Sequence, residues 1–297
     1  MNQFIELLVG GLSLGCIDAL IALGFVVVFK ATRVVNFAYG SLLLLGAYLI
    51  GRYHDSLGFL VAVLVAVVVT AAVAGFIGLF VLRRLRLADP GTLTIVTLGV
   101  DIVMATELTR RIGTDLLTPG DPWGAGVLTI GGVHVPQTRI AAAAVAAVLV
   151  AAFLVVLKTT DWGIATRASA ERSQTAMLMG IRPSRVVGGV WLLTGALAAV
   201  AGLFFTAFPA AGISGTVGQA ALGAAVPAAV LGGLDSTTGA LVGGLAVGLT
   251  ATFAAGYQEH LLFLGRGFGT VAPYVVMMLV LLARPAGLFG SREINRV

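Results

Sequence analysis

The sequence predicts an all-α, polytopic helical membrane protein with about nine membrane segments, in a range of about eight to ten. Of its 297 residues, 59% are hydrophobic and only 10% are charged, and the mean hydropathy is +1.05. Soluble domains carry roughly a quarter charged residues, so this composition excludes an ordinary soluble fold. The 40 glycines fit closely packed transmembrane helices, in which small residues let backbones approach each other.

Hydropathy divides the chain into candidate spans of roughly 20 apolar residues each. They lie near residues 5–29, 34–50, 57–82, 92–109, 138–157, 186–208, 219–234, 237–255 and 268–283. The second and the seventh are short and contain glycine, so either is a candidate for a broken or re-entrant helix. The first run has no basic region before it and is too long for a signal peptide, so we expect it to be retained. We expect residues 1–297 to form a single transmembrane domain.

Lysine and arginine residues predict the orientation of the chain. Five of the 18 lie in the gaps on one side and the other 13 lie in the gaps on the opposite side. The five are Arg52, Arg110, Arg111, Arg139 and Arg266. Because cytoplasmic loops carry the excess of positive charge, residues 159–185 and the C-terminus are predicted to be inside. An odd number of spans then places the N-terminus outside, and the net charge of +5 needs no nucleic-acid partner.

The charged stretch WGIATRASAERSQTAMLMGIRPS, residues 162–184, is predicted to be a surface helix in water. Thr160 or Asp161 can start it and Gly180 can end it, while Arg167 and Glu171 lie four residues apart on one face. Mostly small side chains recur at three- and four-residue steps: Ala165, Ala168, Ala176 and Met179. This stripe could seat in a groove of another protein. A plain solvated helix is the alternative.

Four polar or charged side chains fall within or beside the apolar spans: Asp18, Asn36, Asp101 and Glu107. A carboxylate at the bilayer centre costs about 2.5–3.5 kcal/mol and usually faces the bundle interior or a wet cavity. Asp101 lies deepest, and it is either a polar contact on a pathway or a hydrogen-bond partner for a neighbouring helix. For Glu107, beside two arginines near a membrane edge, we expect a structural role.

Two glycine-containing stretches add candidates for close approach by a solute or by another helix. In residues 34–48, Asn36, Tyr39 and Ser41 place polar groups at the start of a short span. In residues 229–248, two Gly-Gly pairs, of which Gly232–Gly233 is the first, flank a turn. Simple helix packing also explains such pairs.

The connection of residues 110–137 is predicted to be extracytoplasmic and to contain a small β-hairpin. Its Pro-Gly and Asp-Pro turns precede alternating valines around a Gly-Gly pair, which is a hairpin pattern. It either covers helix ends or meets an external partner. His134 is isolated there and Cys16 is the single cysteine, so we predict no metal site and no internal disulfide. No phosphate-binding GxxxxGK[ST] loop or catalytic motif is present, so we predict no enzyme activity and no cofactor.

Several runs, spread in order over nearly the whole chain, resemble one transporter family. They are Gly15 with ALIALG at 19–24, NFAYG at 36–40, LLGAY at 44–48, ATRASAERSQTAMLMGI at 165–181, AVLGGLDSTTGALVGG at 229–244 and ARPAGLFG at 283–290. With these runs the chain resembles the permease subunit of bacterial branched-chain (hydrophobic) amino acid ABC importers, of the first-permease type.

The resemblance implies a multi-pass subunit of the bacterial inner (plasma) membrane that forms half of a translocation pathway. Its partners would be a second similar permease, two cytoplasmic ATPase subunits that bind the ATP, and an extracytoplasmic binding protein that delivers the solute. The segment 165–181 corresponds to the coupling helix that docks on the ATPases. The implied coupling residues are Arg167, Ala168, Ala170, Glu171, Arg172, Ala176, Met179 and Gly180. The candidate pathway residues are Asn36, Tyr39, Ser41, Asp101, Gly232 and Gly233.

The chain departs from the family pattern at positions that bear on the solute. Family members commonly have NFAHGE where Tyr39 and Ser41 replace the histidine and the carboxylate here. Many carry a lysine at the position of Ala224, and a small polar residue is usual at Asp101. The resemblance, with these departures, therefore implies as solute a branched-chain amino acid or a related small amphipathic molecule such as urea, a short amide or an aromatic acid. A secondary transporter or channel, with Asp101 as an ion or proton site, is the alternative.

Overall fold

The computed structural model describes residues 2–81, 84, 89–115, 117–120, 126–130, 133–171, 173–207, 212–260, 265 and 267–290. This part of the chain holds eleven α-helices and one two-stranded sheet. The helices are α1 Asn2–Thr32, α2 Tyr39–Leu57, α3 Phe59–Phe76, α4 Pro90–Ile112, α5 Gln137–Thr159, α6 Asp161–Glu171, α7 Ser173–Leu178, α8 Pro183–Ala207, α9 Val217–Gly232, α10 Thr237–Gly256 and α11 Phe268–Ala283. A π-helical turn, Ile77–Val81, extends α3.

Each predicted membrane segment corresponds to one helix, which confirms the all-α polytopic membrane fold. Among the described residues, six helices are long and apolar enough to cross a membrane: Gln3–Thr32, Phe59–Val81, Pro90–Ile112, Gln137–Thr159, Pro183–Ala207 and Thr237–Gly256. Helices α9 and α11 are shorter apolar helices of 16 residues each. Helix α2 has 19 residues and begins at Tyr39, five residues after the start predicted for its span.

The predicted hairpin is also present. Strand β1, Val127–Ile130, pairs antiparallel with β2, Val133–Pro136, so that Val127 lies opposite Pro136 and Ile130 opposite Val133. The side of the membrane on which this hairpin lies stays a prediction.

The chain forms two compact units, and glycine packing organises the first: Met1–Val26, Trp123–Ala147 and Gly223–Val297. In this unit α1 lies against α10. A Cβ atom added at Gly15 would lie 2.8 Å from the Cα atom of Leu245, and one at Gly11 would lie 3.0 Å from the Cα atom of Leu249. The two backbones therefore approach more closely than a larger residue would permit, as in other membrane helix pairs.

The second unit comprises Val27–Pro122 and Val148–Leu222, and its core is built from α2, α3 and α8. A Cβ atom at Gly202 on α8 would lie 2.5 Å from the carbonyl oxygen of Leu43 on α2. One at Gly195 would lie 2.8 Å from the Cα atom of Ala71 on α3. Trp191, fully buried, covers Gly78 in the π-helical turn. Helix α4 packs on α2 at the side of this core.

Helix α4 has a well-defined beginning. The Asp89 carboxylate accepts the Thr92 backbone N–H at 3.1 Å and the Thr92 hydroxyl at 2.6 Å, and Pro90 occupies the first turn. These are the features of a strong N-cap. The hydrogen bonds from Thr92 lower the pKa of the Asp89 carboxyl and so favour the ionised form that caps the helix.

Candidate functional site

The break between α1 and α2 brings together several of the polar residues that the sequence selects: Asn36, Tyr39, Ser41 and Asp101. Helix α1 ends where Arg33 takes a positive φ of 57°, and residues 33–38 are not helical before α2 begins at Tyr39. Non-helical backbone that is packed inside a membrane protein needs other protein groups or water to satisfy its N–H and C=O groups. The groups that hydrogen-bond to the backbone of residues 33–38 therefore determine how the break is stabilised.

Helix α4 supplies two of these partners through threonine hydroxyls. The Val35 N–H donates to Thr94 Oγ1 at 3.2 Å, and the Phe37 N–H donates to Thr97 Oγ1 at 3.1 Å. The Thr97 hydroxyl in turn can donate to the carbonyl oxygen of Val35, which lies at 3.0 Å. Thr94 and Thr97 lie three residues apart, on one face of α4. The broken segment is thus held along this face of α4.

Asp101 continues the same face by one more turn and meets the start of α2. Its Oδ1 atom accepts the Ser41 backbone N–H at 3.0 Å. Asp101 is half-buried, whereas Ser41 is fully buried and donates its hydroxyl to the Ala38 carbonyl at 3.0 Å. The carboxylate therefore caps α2 from a neighbouring helix, as the hydrogen-bonding alternative for this residue predicts. A contact with solute stays a prediction.

Asn36 and Tyr39 retain unused hydrogen-bonding groups at the break. Both side chains are fully buried. Neither the Asn36 amide nor the Tyr39 hydroxyl has a hydrogen-bond partner in the described part of the chain. Leaving such a group unpaired costs about 1–3 kcal/mol, and the usual compensation is water or a ligand. These two side chains are therefore the buried polar groups at the break that lack a partner among the described residues.

Helices α2 and α9 contact each other near their first residues, at one glycine of each helix. A Cβ atom at Gly40 in α2 would lie 2.7 Å from the carbonyl oxygen of Gly218 in α9, and a Cβ atom at Gly218 would lie 2.7 Å from that of Gly40. The sequence had singled out both segments as short and glycine-bearing, but hydropathy does not show that they touch. Gly218 is thus a residue of this site that sequence reasoning missed.

Gly232 and Gly233 lie in the other compact unit, where Gly232 is the last residue of α9 and Gly233 begins the turn that follows. Both are buried; the Gly232 carbonyl accepts the Phe289 N–H at 3.0 Å, and Gly233 has a positive φ of 102°. Gly232 also lies against the backbone of Gly239. Turn geometry and packing account for both glycines, so their place on a pathway stays a prediction.

The segment of residues 159–185 has the predicted start and stop. Thr160 Oγ1 accepts the Gly163 N–H at 3.1 Å, as an N-cap does. At the other end Gly180 has φ 83°, and the Ile181 N–H donates to the Ala176 carbonyl at 3.1 Å. This is the left-handed glycine stop that the sequence predicts. The described residues on either side of residue 172 are helical, as α6 and α7.

Some of the predicted coupling residues are exposed to solvent, and others are covered by the rest of this chain. Arg167 and Glu171 are exposed, and Ala168 and Ala170 are half-buried. Ala176 is only 4% exposed and so faces this chain. Arg172 lies outside the described residues. The stripe of small side chains is therefore only partly accessible to a partner.

The most accessible part of this segment is apolar. Leu178 is 88% exposed, Met179 is 80% exposed, and Met177 and Ile164 are about half exposed; Gly180 beside them is exposed too. Sequence reasoning selected Met179 but missed Leu178, although three consecutive apolar residues in a charged segment were a usable signal. An apolar tip on a polar loop is typical of a protein-binding surface.

Comparison with known proteins identifies the family. The family model described as "Branched-chain amino acid transport system / permease component" matches residues 7–283. Over 310 residues the chain is 28% identical to the high-affinity branched-chain amino acid transport system permease protein BraD of Pseudomonas aeruginosa, covering 99% of this chain and 98% of BraD. Over 315 residues it is 28% identical to LivH of Escherichia coli (strain K12), with the same coverage.

A third similar protein comes from another organism. The probable branched-chain amino acid transport permease protein LivH of Methanocaldococcus jannaschii is 29% identical over 285 residues, covering 91% of this chain and 88% of that protein. No solved structure matches the chain. The family match spans the broken helix, α4 and the α6–α7 segment. The chain therefore belongs to the family of branched-chain amino acid transport system permease components, as a multi-pass, non-catalytic membrane subunit.

Proposed function

We propose that this chain is the membrane-spanning permease subunit of an ATP-driven ABC importer. It forms half of a translocation pathway for a branched-chain amino acid or a related small amphipathic solute. Its partners are a second homologous permease, two cytoplasmic ATPase subunits that bind and hydrolyse ATP, and an extracytoplasmic binding protein. The chain itself holds no cofactor. It lies in the cytoplasmic membrane with its N-terminus outside and its C-terminus and residues 159–185 inside.

The observation that carries this proposal is the exposed apolar tip of Met177, Leu178 and Met179 on the segment between α5 and α8. ATP can drive transport only if the ATPase states differ in how they bind the permease in its inward- and outward-facing forms. The exposed apolar tip, on the segment that links α5 to α8, can supply such a contact. Because the segment is joined to α5 and α8, a movement of the tip is transmitted to these two membrane helices.

Replacing Leu178 and Met179 together by aspartate tests the coupling role. We expect the amount of ATPase subunit that co-purifies with the permease to fall by about tenfold, because an apolar contact becomes charged. ATP-dependent uptake should fall with it. Ser184→Asp adds charge to an exposed residue beyond Gly180 and serves as the matched control. If the double substitution leaves both ATPase binding and uptake intact, the tip is not the coupling surface.

Uptake assays with the reconstituted assembly test which solute is transported. Leucine, isoleucine and valine should be taken up only with ATP and the binding protein present. If these amino acids neither bind nor compete while urea, a short amide or an aromatic acid does, the solute class shifts to that compound. Asn36 and Tyr39 are the proposed contacts because their polar groups are buried and unpaired.

A further inference from the structure

The end of α5 and the start of α6 are in direct contact, and one threonine bonds to both helices. The Thr160 hydroxyl donates to the Val156 carbonyl of α5 at 2.7 Å and accepts the Gly163 N–H of α6 at 3.1 Å. Gly163 is buried, and a Cβ atom added there would lie 2.7 Å from the Cα atom of Leu157. The first turn of α6 therefore lies against the backbone of the last turn of α5.

Arg167, one turn further along α6, adds a bond back to the same place in α5. Its Nη1 atom donates to the Leu157 carbonyl oxygen. Carbonyl groups in the last turn of an α-helix have no partner inside the helix, and this end carries the partial negative charge of the helix dipole. The Arg167 guanidinium brings both a donor and a positive charge to it. Arg167 is therefore a side-chain cap for α5 that is supplied by the next helix.

Helix α6 also contacts the beginning of α8. A Cβ atom added at Gly189 of α8 would lie 2.6 Å from the Nε1 atom of Trp162, and Thr166, one turn after Trp162, is only 4% exposed. All these residues belong to the second compact unit. The position of α6 is thus set by contacts with both neighbouring membrane helices: Trp162 contacts α8, whereas Gly163 and Arg167 contact α5.

The family resemblance implies an ATPase contact for Arg167. We propose instead that Arg167 is a positioning residue, which joins α6 to the end of α5 so that the two helices move together. This inference rests on the proposed function and specifies how ATP-driven movement enters the membrane. An ATPase that displaces the exposed apolar tip moves α6, and the bond to Leu157 makes α5 follow, because hydrogen-bonded and packed elements transmit displacement. Without that bond the chain bends at Thr160, and part of the movement is lost before it reaches α5.

A spin label on α5 tests this inference in the assembled importer, with the ATPase subunits present. The label is attached to Val155→Cys in a Cys16→Ala background, because Val155 is exposed on α5 and lies close to Leu157 in the chain. With Arg167 in place, trapping the ATPases with Mg²⁺-ATP and vanadate should change the spectrum of the label. Arg167→Met keeps an unbranched side chain but removes the donors and the charge. It should reduce that spectral change at least about fivefold, because a hydrogen bond from a charged donor is lost.

Two further variants separate positioning from docking. Arg167→Lys retains a charged donor and should restore at least about half of the spectral change. Arg182→Met removes an exposed arginine between α7 and α8, and should leave the change within about twofold of its full size. In all three variants the recovery of ATPase should stay within about twofold, because the exposed apolar tip is unaltered. Thermal unfolding verifies that each variant is folded, and Arg167→Gln replaces Arg167→Met if the latter is not.

The outcomes distinguish this inference from the proposed function. Loss of ATPase from Arg167→Met alone would make Arg167 a docking residue. A full spectral change in Arg167→Met, no rescue by Arg167→Lys, or no change with Arg167 in place would show that the bond to Leu157 does not transmit movement to α5. In each of these cases only this inference falls. If the ATPase does not co-purify with the chain that retains Arg167, the proposed function falls as well.

Discussion

Asp101 is a capping group and a charge at once, and two substitutions separate these properties. Asn retains a carbonyl oxygen that can accept the Ser41 N–H, so Asp101→Asn should change the free energy of unfolding by less than about 1 kcal/mol. Asp101→Leu leaves that N–H unpaired and should cost about 1–3 kcal/mol. Thermal unfolding of the purified chain in detergent measures both.

The same pair of variants distinguishes the importer from an ion- or proton-coupled transporter. In an ATP-driven importer, Asp101→Asn should keep ATP-dependent uptake within about fivefold of the unmodified assembly, because the cap is intact. Loss of uptake by a variant of normal stability would mean that the negative charge itself is needed. Asp101 would then be a transport site rather than a cap.

Gly40 and Gly218 should be the glycines at the helix break that tolerate no side chain. A Cβ atom at either would lie 2.7 Å from the other's backbone carbonyl oxygen, so Gly40→Ala should destabilise the chain by about 1–3 kcal/mol. Gly99→Ala, made where a Cβ atom meets nothing within 4 Å, should instead be neutral or stabilising by up to about 1 kcal/mol in the isolated chain. Similar unfolding temperatures for the two variants would contradict the close contact.

Helix α4 acts as the support for a segment that cannot satisfy its own backbone. Thr97→Val removes the acceptor of the Phe37 N–H at nearly constant volume, and should cost about 1–3 kcal/mol in unfolding free energy. Amide hydrogen exchange at Phe37 should accelerate with it. Thr106→Val on an exposed position of the same helix should change stability by less than about 0.5 kcal/mol. Equal effects of the two substitutions would show that the hydrogen bond does not hold the break.

At the scale of elements, the sequence predicts which segments are helical better than where they begin. Apolar periodicity and glycine stops locate a helix for each of the nine predicted segments, of which six are long and apolar enough to cross a membrane among the described residues. They also locate the hairpin, because those signals are local. The span predicted from residue 34 begins as helix α2 only at Tyr39. The N–H groups of Val35 and Phe37 bond to threonines about 60 residues later, and no local pattern contains that information.

In the candidate site, too, local sequence signals select the residues, whereas long-range contacts determine their geometry. The sequence selects Asn36, Tyr39, Ser41 and Asp101 because polar groups in an apolar span are conspicuous. It leaves Asp101 open between pathway and packing, and only the contact with Ser41 supplies the capping geometry. It also misses Gly218, since one glycine among 40 carries no signal until its neighbour is known. Tertiary contacts therefore supply what composition cannot.

At the scale of the whole molecule, the distribution of positive charge predicts one orientation in the membrane, and labelling can test it. In a Cys16→Ala background, Ser56→Cys lies at an exposed position in the last turn of α2, and Ser184→Cys lies at an exposed position in the first turn of α8. A membrane-impermeant maleimide should label the first in intact cells. It should label the second only after permeabilisation, because 13 of the 18 basic residues lie in gaps on the side of residue 184.

The labelling result bears on the mechanism as well as on the topology. An ATP-driven permease receives force from the cytoplasm, so the apolar tip at Leu178 and Met179 can contact an ATPase only if residue 184, a few positions later, lies on the same inner side. Labelling of Ser184→Cys in intact cells would place the tip outside and exclude coupling through it. Protection of Ser184→Cys that is relieved by permeabilisation, together with free labelling of Ser56→Cys, would place the apolar tip on the cytoplasmic side, where an ATPase can contact it.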